Sequence, residues 1–446
     1  MKKVLFLLLL TLTALSSSAM SLAGKWGGTL SLGPQKIPLV FNITQADAAK
    51  WSVTLDVPSQ GAYGIPCEAT VDNDKIEIKM DVMNASYSGT ITGDDVINGS
   101  FSQRGFNLPL ELTKKQNNSG DRIEPSQQQR REHAVSFTSD GVTLNGTLEL
   151  PGGSDVTAPY PAVVLVSGSG TQDRDETILG HKPFKEISNY LADNGIAVLR
   201  YDDRGAGESG PLKGNETTLD FAGDAKAAFN CLATQPNIDM RRIGYIGHSE
   251  GGLIAFINAA GDPSVGFVIS LAGSAVNGRD LMVKQNLSLL DMQGVPYSQA
   301  QIDELNTIFS HIATINDTVK LREALRADLS ASTLQRYTSE QLEQSVAVMT
   351  TPWYISTIRF NPEPYLKKIS CPVLALNGEW DFQVNAEQNL AAIKASVKNA
   401  TCVTLPRHNH LFQEATSKLE SLNYATLGEI SQATLEAIKN FILSIK

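Results

Sequence analysis

Apolar and polar residues alternate along this chain in three different rhythms. From residue 24 to about 114 the period is two, as in Ile37-Pro38-Leu39-Val40-Phe41, Trp51-Ser52-Val53-Thr54-Leu55 and Lys75-Ile76-Glu77-Ile78-Lys79-Met80. A strand turns successive side chains to opposite faces, so this pattern predicts half-buried strands. Turn formers separate them, including Asp72-Asn73-Asp74 and Thr92-Gly93-Asp94-Asp95. No helical period of useful length appears. The region reads as a small all-β domain, a sandwich or a barrel.

Residues 115–132 are polar and nearly free of apolar side chains, which predicts a linker. From 133 onward the rhythm changes again. Two alternating strands, 134–138 and 142–150, come first. Short apolar runs follow at 162–166, 197–199, 243–246, 265–271, 373–376 and 402–405, with amphipathic helices near 184–194 and 218–233. Fully apolar strands alternating with helices predict a mostly parallel sheet covered on both faces, an α/β fold. Between Leu271 and Val373 lie about a hundred residues with helical periodicity, as at 302–315 and 319–329, too many for a loop. A helical cap inserted at about 274–360 is expected.

Composition adds boundaries to this picture. The 446 residues suit two or three domains, and 42% hydrophobic against 19% charged residues is a globular balance. Lys2 and Lys3, the apolar run 4–10 and the small residues Ser16-Ser17-Ser18-Ala19 read as an export signal, cut after Ala19 or after Ala23. The apolar run falls short of the roughly 20 residues that cross a membrane. An exported protein, periplasmic or secreted and without stable membrane insertion, is the expectation. Without the two lysines the formal charge moves from 37 − 47 = −10 to 35 − 47 = −12. An acidic chain with no Lys/Arg-rich block is a poor partner for nucleic acid or anionic membrane. Cys67, Cys231, Cys371 and Cys402 are too widely spaced for a zinc site or a disulfide framework, so free thiols are expected. A Cys371–Cys402 bridge would need their strands to be neighbours in the right register.

The densest chemical signal is Gly247-His248-Ser249-Glu250-Gly251, a G-x-S-x-G with an apolar strand before it and a helix after it. That context turns the chain sharply and leaves the serine hydroxyl exposed beside the amino end of a helix. A serine needs a base, and on a strand–turn–helix nucleophile the order is Ser, acid, His. Of six histidines only His311, His408 and His410 follow Ser249, and His311 sits within the cap. His408 and His410 lie just past the last strand and both remain candidates. Asp381 is the better acid and Glu379 the second, in the loop after 373–376. The oxyanion donors fall to the N–H of Glu250 and to the loop Ser167-Gly168-Ser169-Gly170, through Ser169 or alternatively Gly168. Trp353 and Tyr354, at the end of the cap, line a substrate pocket or pack the cap onto the core. The segment Asp202-Asp203-Arg204-Gly205 lacks the ending of a phosphate loop and reads as a structural turn with an Asp–Arg pair. No further His/Asp/Glu grouping has metal-ligand spacing, and the chemistry requires no cofactor.

These residues resemble secreted bacterial α/β-hydrolases of the serine aminopeptidase (S33) and carboxylesterase-like group. The resemblance covers about 133–446 and rests on several segments. They are Ser167-Gly168-Ser169-Gly170-Thr171-Gln172-Asp173-Arg174-Asp175, the Asp202 loop, Gly247 to Gly252, Cys371 to Asp381, and Asn409-His410-Leu411-Phe412-Gln413. It implies an α/β-hydrolase fold with Asp381 as acid and His410, rather than His408, as base. Trp380 and Arg407-His408 stand where that pattern has Lys-Asp and small Pro-Gly-like residues, which implies a different local loop shape. The implied reaction is hydrolysis of small-molecule carboxylic esters through an acyl-enzyme. The alternatives are aminopeptidase or amidase chemistry, with Glu304, Glu323 or Glu343 available for a substrate ammonium, and a non-catalytic ligand-binding protein.

Overall fold

The computed structural model describes residues 22–32, 35–47, 50–57, 62–72, 74–80, 85–93, 95–103, 106–114, 131–152 and 159–445. The expected export signal at 1–19 and all but the end of the expected linker lie outside them. Two compact units separate, Met1–Asn118 and Ser119–Lys446.

The first unit is a closed barrel of eight antiparallel strands in chain order. They are β1 (Gly24–Leu32), β2 (Gln35–Asp47), β3 (Lys50–Val57), β4 (Ala62–Asp72), β5 (Lys75–Met80), β6 (Ala85–Ile91), β7 (Val96–Gln103) and β8 (Phe106–Lys114). Pairing of Trp26 with Lys114 and Gly27 with Thr113 joins β1 to β8. Closure removes the exposed edges that an open sheet leaves. The period-two pattern decides what faces inward: along β5, Ile76, Ile78 and Met80 are buried while Lys75, Glu77 and Lys79 are exposed. Trp26, Phe41, Leu55 and Tyr87 join them in the core. The buried Tyr87 hydroxyl lies 3.2 Å from the carbonyls of both Ile97 and Leu110, so its polar end is satisfied inside.

The second unit is built on eight strands in the order β16-β15-β14-β13-β11-β12-β10-β9. They are β9 (Arg131–Ser139), β10 (Val142–Leu150), β11 (Tyr160–Val166), β12 (Ala197–Tyr201), β13 (Ile238–His248), β14 (Phe267–Leu271), β15 (Val373–Gly378) and β16 (Ala400–Leu405). β9 and β10 are antiparallel, and β11 to β16 pair in parallel. Helices α1 (Pro183–Asp193), α2 (Thr218–Ala233) and α3 (Glu250–Gly261) connect the central strands. Every residue of β12, β14 and β15 is buried, as the unbroken apolar runs require for a sheet covered on both faces. β9 begins at Arg131, two residues inside the expected linker. Arg131 pairs with Leu150 and Glu132 with Glu149, and Glu132 bonds Lys185 and Arg200. Side chains engaged in ion pairs hid the start of this strand from a hydrophobic reading.

Six helices lie between β14 and β15: α4 (Gly278–Gln293), α5 (Gln299–Thr314), α6 (Thr318–Ala331), α7 (Ser339–Met349), α8 (Pro352–Arg359) and the short α9 (Glu363–Leu366). Their starts are capped as the sequence dictates. Ser298 and Thr338 form capping boxes, and Asp317 accepts from the amides of Val319 and Lys320. The insertion has a core of its own, including Leu305, Phe309, Leu321, Leu325 and Val346. His311 belongs to it, its Nδ1 2.7 Å from Asp328. After β15 come α10 (Ala386–Ser396), α11 (Lys418–Ser421) and α12 (Gln432–Ser444). All four cysteines are free: Cys402 faces Ala375 across β15 and β16, four residues along from Cys371.

Candidate active site

Ser249 stands between β13 and α3 with φ +54° and ψ −118°, a left-handed conformation unusual for a residue with a side chain. The turn is possible because its flanks are glycines. A Cβ on Gly247 would lie 2.0 Å from the Gly251 carbonyl oxygen, and one on Gly251 would lie 2.0 Å from that of Val166. The strain of the elbow is therefore held by packing against β11, and it sets Ser249 at the amino end of α3. Glu250 is the first residue of α3, so its N–H has no partner within the helix.

The loops after β15 and β16 meet each other. Trp380 donates its N–H to the His408 carbonyl at 2.9 Å, and Glu379 donates its own to Leu405 at 2.9 Å. Asp381 Oδ2 lies 2.8 Å from His410 Nδ1, with both side chains almost fully buried. Asp381 Oδ1 accepts from the amides of Gln383 and Val384, which orient the carboxylate. The other candidates face elsewhere. His408 is bonded to Ser431 and to the Pro406 carbonyl, and Glu379 accepts from the Arg407 amide. Arg407 takes a φ of +60° where smaller residues are usual, and its amide bond to Glu379 braces that turn. Asn409 shapes the next turn, accepting from the amides of Leu411 and Gln413 at 3.0 Å.

Carboxylates hold the loop after β11 from several sides. Asp202 accepts from the Arg174 amide at 2.7 Å and pairs with its guanidinium at 2.6 Å. Burial opposes the Asp202 charge, but the bonds from Arg174 and from the Glu208 amide outweigh it and keep its pKa low. Asp203 accepts from the Ser167 hydroxyl at 2.7 Å and the Gln172 amide at 3.0 Å. Burial pushes its pKa up to about 8 against those bonds. Arg204 points the other way, into a buried bidentate pair with Asp224 at 2.6 Å. The Asp202-Asp203-Arg204 turn is therefore a fastening between strands and loop, as its sequence suggests.

Gly168 lies against the nucleophile: a Cβ there would come within 3.2 Å of Ser249 Cβ. Its N–H is already committed, donating to Glu176 Oε1 at 2.7 Å. Of the two donor candidates in this loop, that leaves Ser169, which is exposed. Glu176 is buried and has φ +51°. The same Oε1 lies 2.9 Å from His248 Nδ1, and His248 Nε2 lies 3.0 Å from the His410 carbonyl oxygen. A carbonyl and a carboxylate both only accept, so with Glu176 ionised His248 donates from both ring nitrogens and is doubly protonated. Burial disfavours the His248 imidazolium, yet the charge and hydrogen bond of Glu176 and the bond to His410 prevail and raise its pKa.

Trp353, at the start of α8, donates its indole N–H to the Glu250 carboxylate, 3.0 and 3.2 Å from its two oxygens, and Thr218 donates to the same group at 2.7 Å. Burial raises the Glu250 pKa against those two bonds. Tyr354 instead packs against the core of the cap. Among the described residues, no three His, Cys, Asp or Glu side chains gather as a metal site.

The family model described as serine aminopeptidase, S33, matches residues 181–414, more than half of the chain. The chain belongs to that family. Its second unit has the α/β-hydrolase fold, and the protein is a hydrolase carrying a β-barrel before it. Esterase EstD of Thermotoga maritima is 26% identical over 319 residues, covering 69% of this chain and 68% of the relative. An uncharacterized peptidase of Bacillus subtilis, YuxL, is 29% identical over 136 residues, 28% of this chain and 20% of its own. Among solved structures, Est1E of Butyrivibrio proteoclasticus with ferulic acid bound has a TM-score of 0.43 at 17% identity, covering 70% of this chain and 98% of Est1E.

Two features of this S33 family member escape a sequence reading. Glu176 stands directly after Asp173-Arg174-Asp175 and looks like one more surface acid of that run. His248 was visible in the G-x-S-x-G motif only as the variable position before serine. Their contact spans 72 residues of chain, and neither carries a local signal of it.

Proposed function

We propose that this hydrolase cleaves carboxylic esters of small molecules through an acyl-enzyme formed on Ser249. The Asp381–His410 bond of 2.8 Å, at the carboxyl ends of two parallel strands whose sheet also carries the Ser249 elbow, is the observation that carries the reading. Ser249 attacks the ester carbonyl as His410 Nε2 takes its proton. Asp381 holds Nδ1–H and stabilises the imidazolium without accepting that proton. The N–H groups of Glu250 and Ser169 receive the oxyanion. The tetrahedral intermediate collapses as His410 returns the proton to the departing alkoxide. Water, deprotonated by His410, then releases the acid and regenerates Ser249. Trp353 borders the acyl or alcohol pocket from the cap side.

Ester rather than N-terminal amide cleavage is favoured by the cap. Glu304 is committed to Ser332 and Thr333, and Glu343 to Nε and Nη2 of Arg326, so two of its three candidate acids are not free to grip an ammonium. The esterase name of the Thermotoga relative points the same way. The test compares wild type with Ser249→Ala on p-nitrophenyl esters of short and long acyl chains and on aminoacyl p-nitroanilides. Ester turnover that disappears in the variant is expected. Turnover of anilides alone would move the protein to the peptidase side of its family. Activity surviving the substitution would remove Ser249 as nucleophile.

A further inference from the structure

We propose that Glu176 and His248 are positioning residues, a second carboxylate–imidazole pair that locks the oxyanion loop and the base loop into one arrangement around Ser249. For its catalytic readout the proposal rests on the reading of the site given above. The contacts form one continuous chain. The Gly168 N–H donates to Glu176 Oε1, that oxygen meets His248 Nδ1, and His248 Nε2–H donates to the carbonyl of His410. Each link belongs to a different strand end: Gly168 follows β11, His248 ends β13 and His410 follows β16. The two side chains thus tie together the three loops from which a serine hydrolase draws donor, nucleophile and base.

The expense of this arrangement argues against a packing role. Glu176 Oε2 is buried with no hydrogen-bond partner among the described residues, and the residue takes a positive φ. A half-satisfied buried carboxylate and a buried imidazole destabilise a fold relative to apolar side chains of similar volume. The small cavity that both residues line is otherwise apolar, with Phe184, Leu271, Leu411 and Phe412 among its walls, and on that side an apolar pair would fit. What an apolar pair lacks is direction. Committing the Gly168 N–H sideways fixes the peptide that precedes Ser169. Holding the His410 carbonyl fixes the backbone from which the base projects, while Asp381 fixes only its ring. The two imidazoles lie 4.7 Å apart between centres, so a shift of one is felt by the other.

Glu176→Gln keeps an acceptor for Gly168 but cannot support a doubly protonated His248. His248→Gln removes the ring that bridges Glu176 to His410. Both are assayed with p-nitrophenyl acetate, with kcat expressed per active site titrated by burst. A misplacement of about 1 Å costs on the order of 100-fold, so each variant is expected to lose ~10–100-fold in kcat with KM within about threefold of wild type. The double variant is expected to fall no further than the worse single, because the residues act as a unit. A purely structural role would lower melting temperature and the fraction of active sites but leave kcat per site unchanged. That result, or losses that multiply, would overturn the proposal. A second measurement does not depend on turnover. In protein labelled with ¹⁵N-histidine, Glu176→Gln is expected to shift the His410 Nδ1–H resonance, although no bond joins the two residues. An unmoved resonance overturns the proposal even if wild type hydrolyses none of the esters, an outcome that would refute the catalytic reading separately.

Discussion

The barrel and the hydrolase unit use burial in opposite ways. Among residues whose exposure is described, the barrel buries no charged side chain, and its interior is filled by groups such as Trp26, Phe41, Leu55 and Tyr87. The hydrolase unit buries Glu149, Glu176, Arg204, Asp224, Glu250 and Asp381 beneath the loops of its sheet. Removing a charge from water is costly unless partners replace the solvent, and an apolar pair usually packs better. The barrel's residues are thus accounted for by packing alone. Several of these charges are accounted for by what they hold: Asp381 the His410 ring, Glu176 the Gly168 amide, Glu250 the Trp353 indole and Thr218. Buried charge here is a map of where geometry matters more than stability.

The sharpest way to break that contrast is to remove a buried charge while leaving its shape. Asp381→Asn keeps the volume beside His410 but offers an amide where the ring needs a carboxylate, which favours the wrong tautomer. Ester turnover is expected to fall by about 10⁴-fold, with little change in folding by circular dichroism. A loss below about tenfold would mean that Asp381 does not orient the base.

A second comparison sets one buried charge against one buried hydroxyl. Arg204→Met leaves Asp224 unpaired in the interior and is expected to cost about 3–5 kcal/mol, most of it recovered when Asp224→Leu is added. Tyr87→Phe, in the barrel, loses only a neutral hydroxyl shared by two carbonyls, a loss of about 1 kcal/mol. Denaturant titrations followed by tryptophan fluorescence separate the two cases, since Trp26 and Trp51 report the barrel and Trp353 and Trp380 the hydrolase unit. Equal costs would erase the distinction between the units.

This difference also explains what the sequence could disclose. The barrel strands and the parallel strands were legible because their burial follows a period, whether two or continuous. The Ser249 elbow was legible because glycine is the only side chain that fits at 247 and 251. His410 and His408 could not be separated by position, since both follow β16. The family resemblance favours His410, and Asp381 Oδ2 lies against that ring while His408 is bonded to Ser431. The Glu250 carboxylate, held by Trp353 and Thr218, was hidden for the same reason as Glu176: each partner is far away in sequence and the residue looks like an ordinary acid. Periodicity announces packing, whereas directional contacts between distant loops leave no periodic trace.

A pH-dependent effect concerns Asp203, where burial outweighs two hydrogen bonds and pushes the carboxyl pKa up to about 8. In the unfolded chain an aspartate titrates near its ordinary value of about 3.9. Between those values the folded protein binds a proton that the unfolded chain does not. Unfolding free energy then declines as pH rises, and the contribution is fully lost once pH exceeds the folded value. This is the reverse of the usual salt-bridged carboxylate, whose support appears as pH rises. Asp203→Asn keeps the oxygen that accepts from Ser167 and Gln172 and removes the charge. Its melting temperature relative to wild type is therefore expected to improve steadily between pH 5 and pH 8. A difference that stays constant across this range would show that Asp203 is ionised throughout. The oxyanion loop would then be anchored by a carboxylate at every pH at which the enzyme works, and Asp203 would join Asp202 as a charged fastening rather than a neutral one.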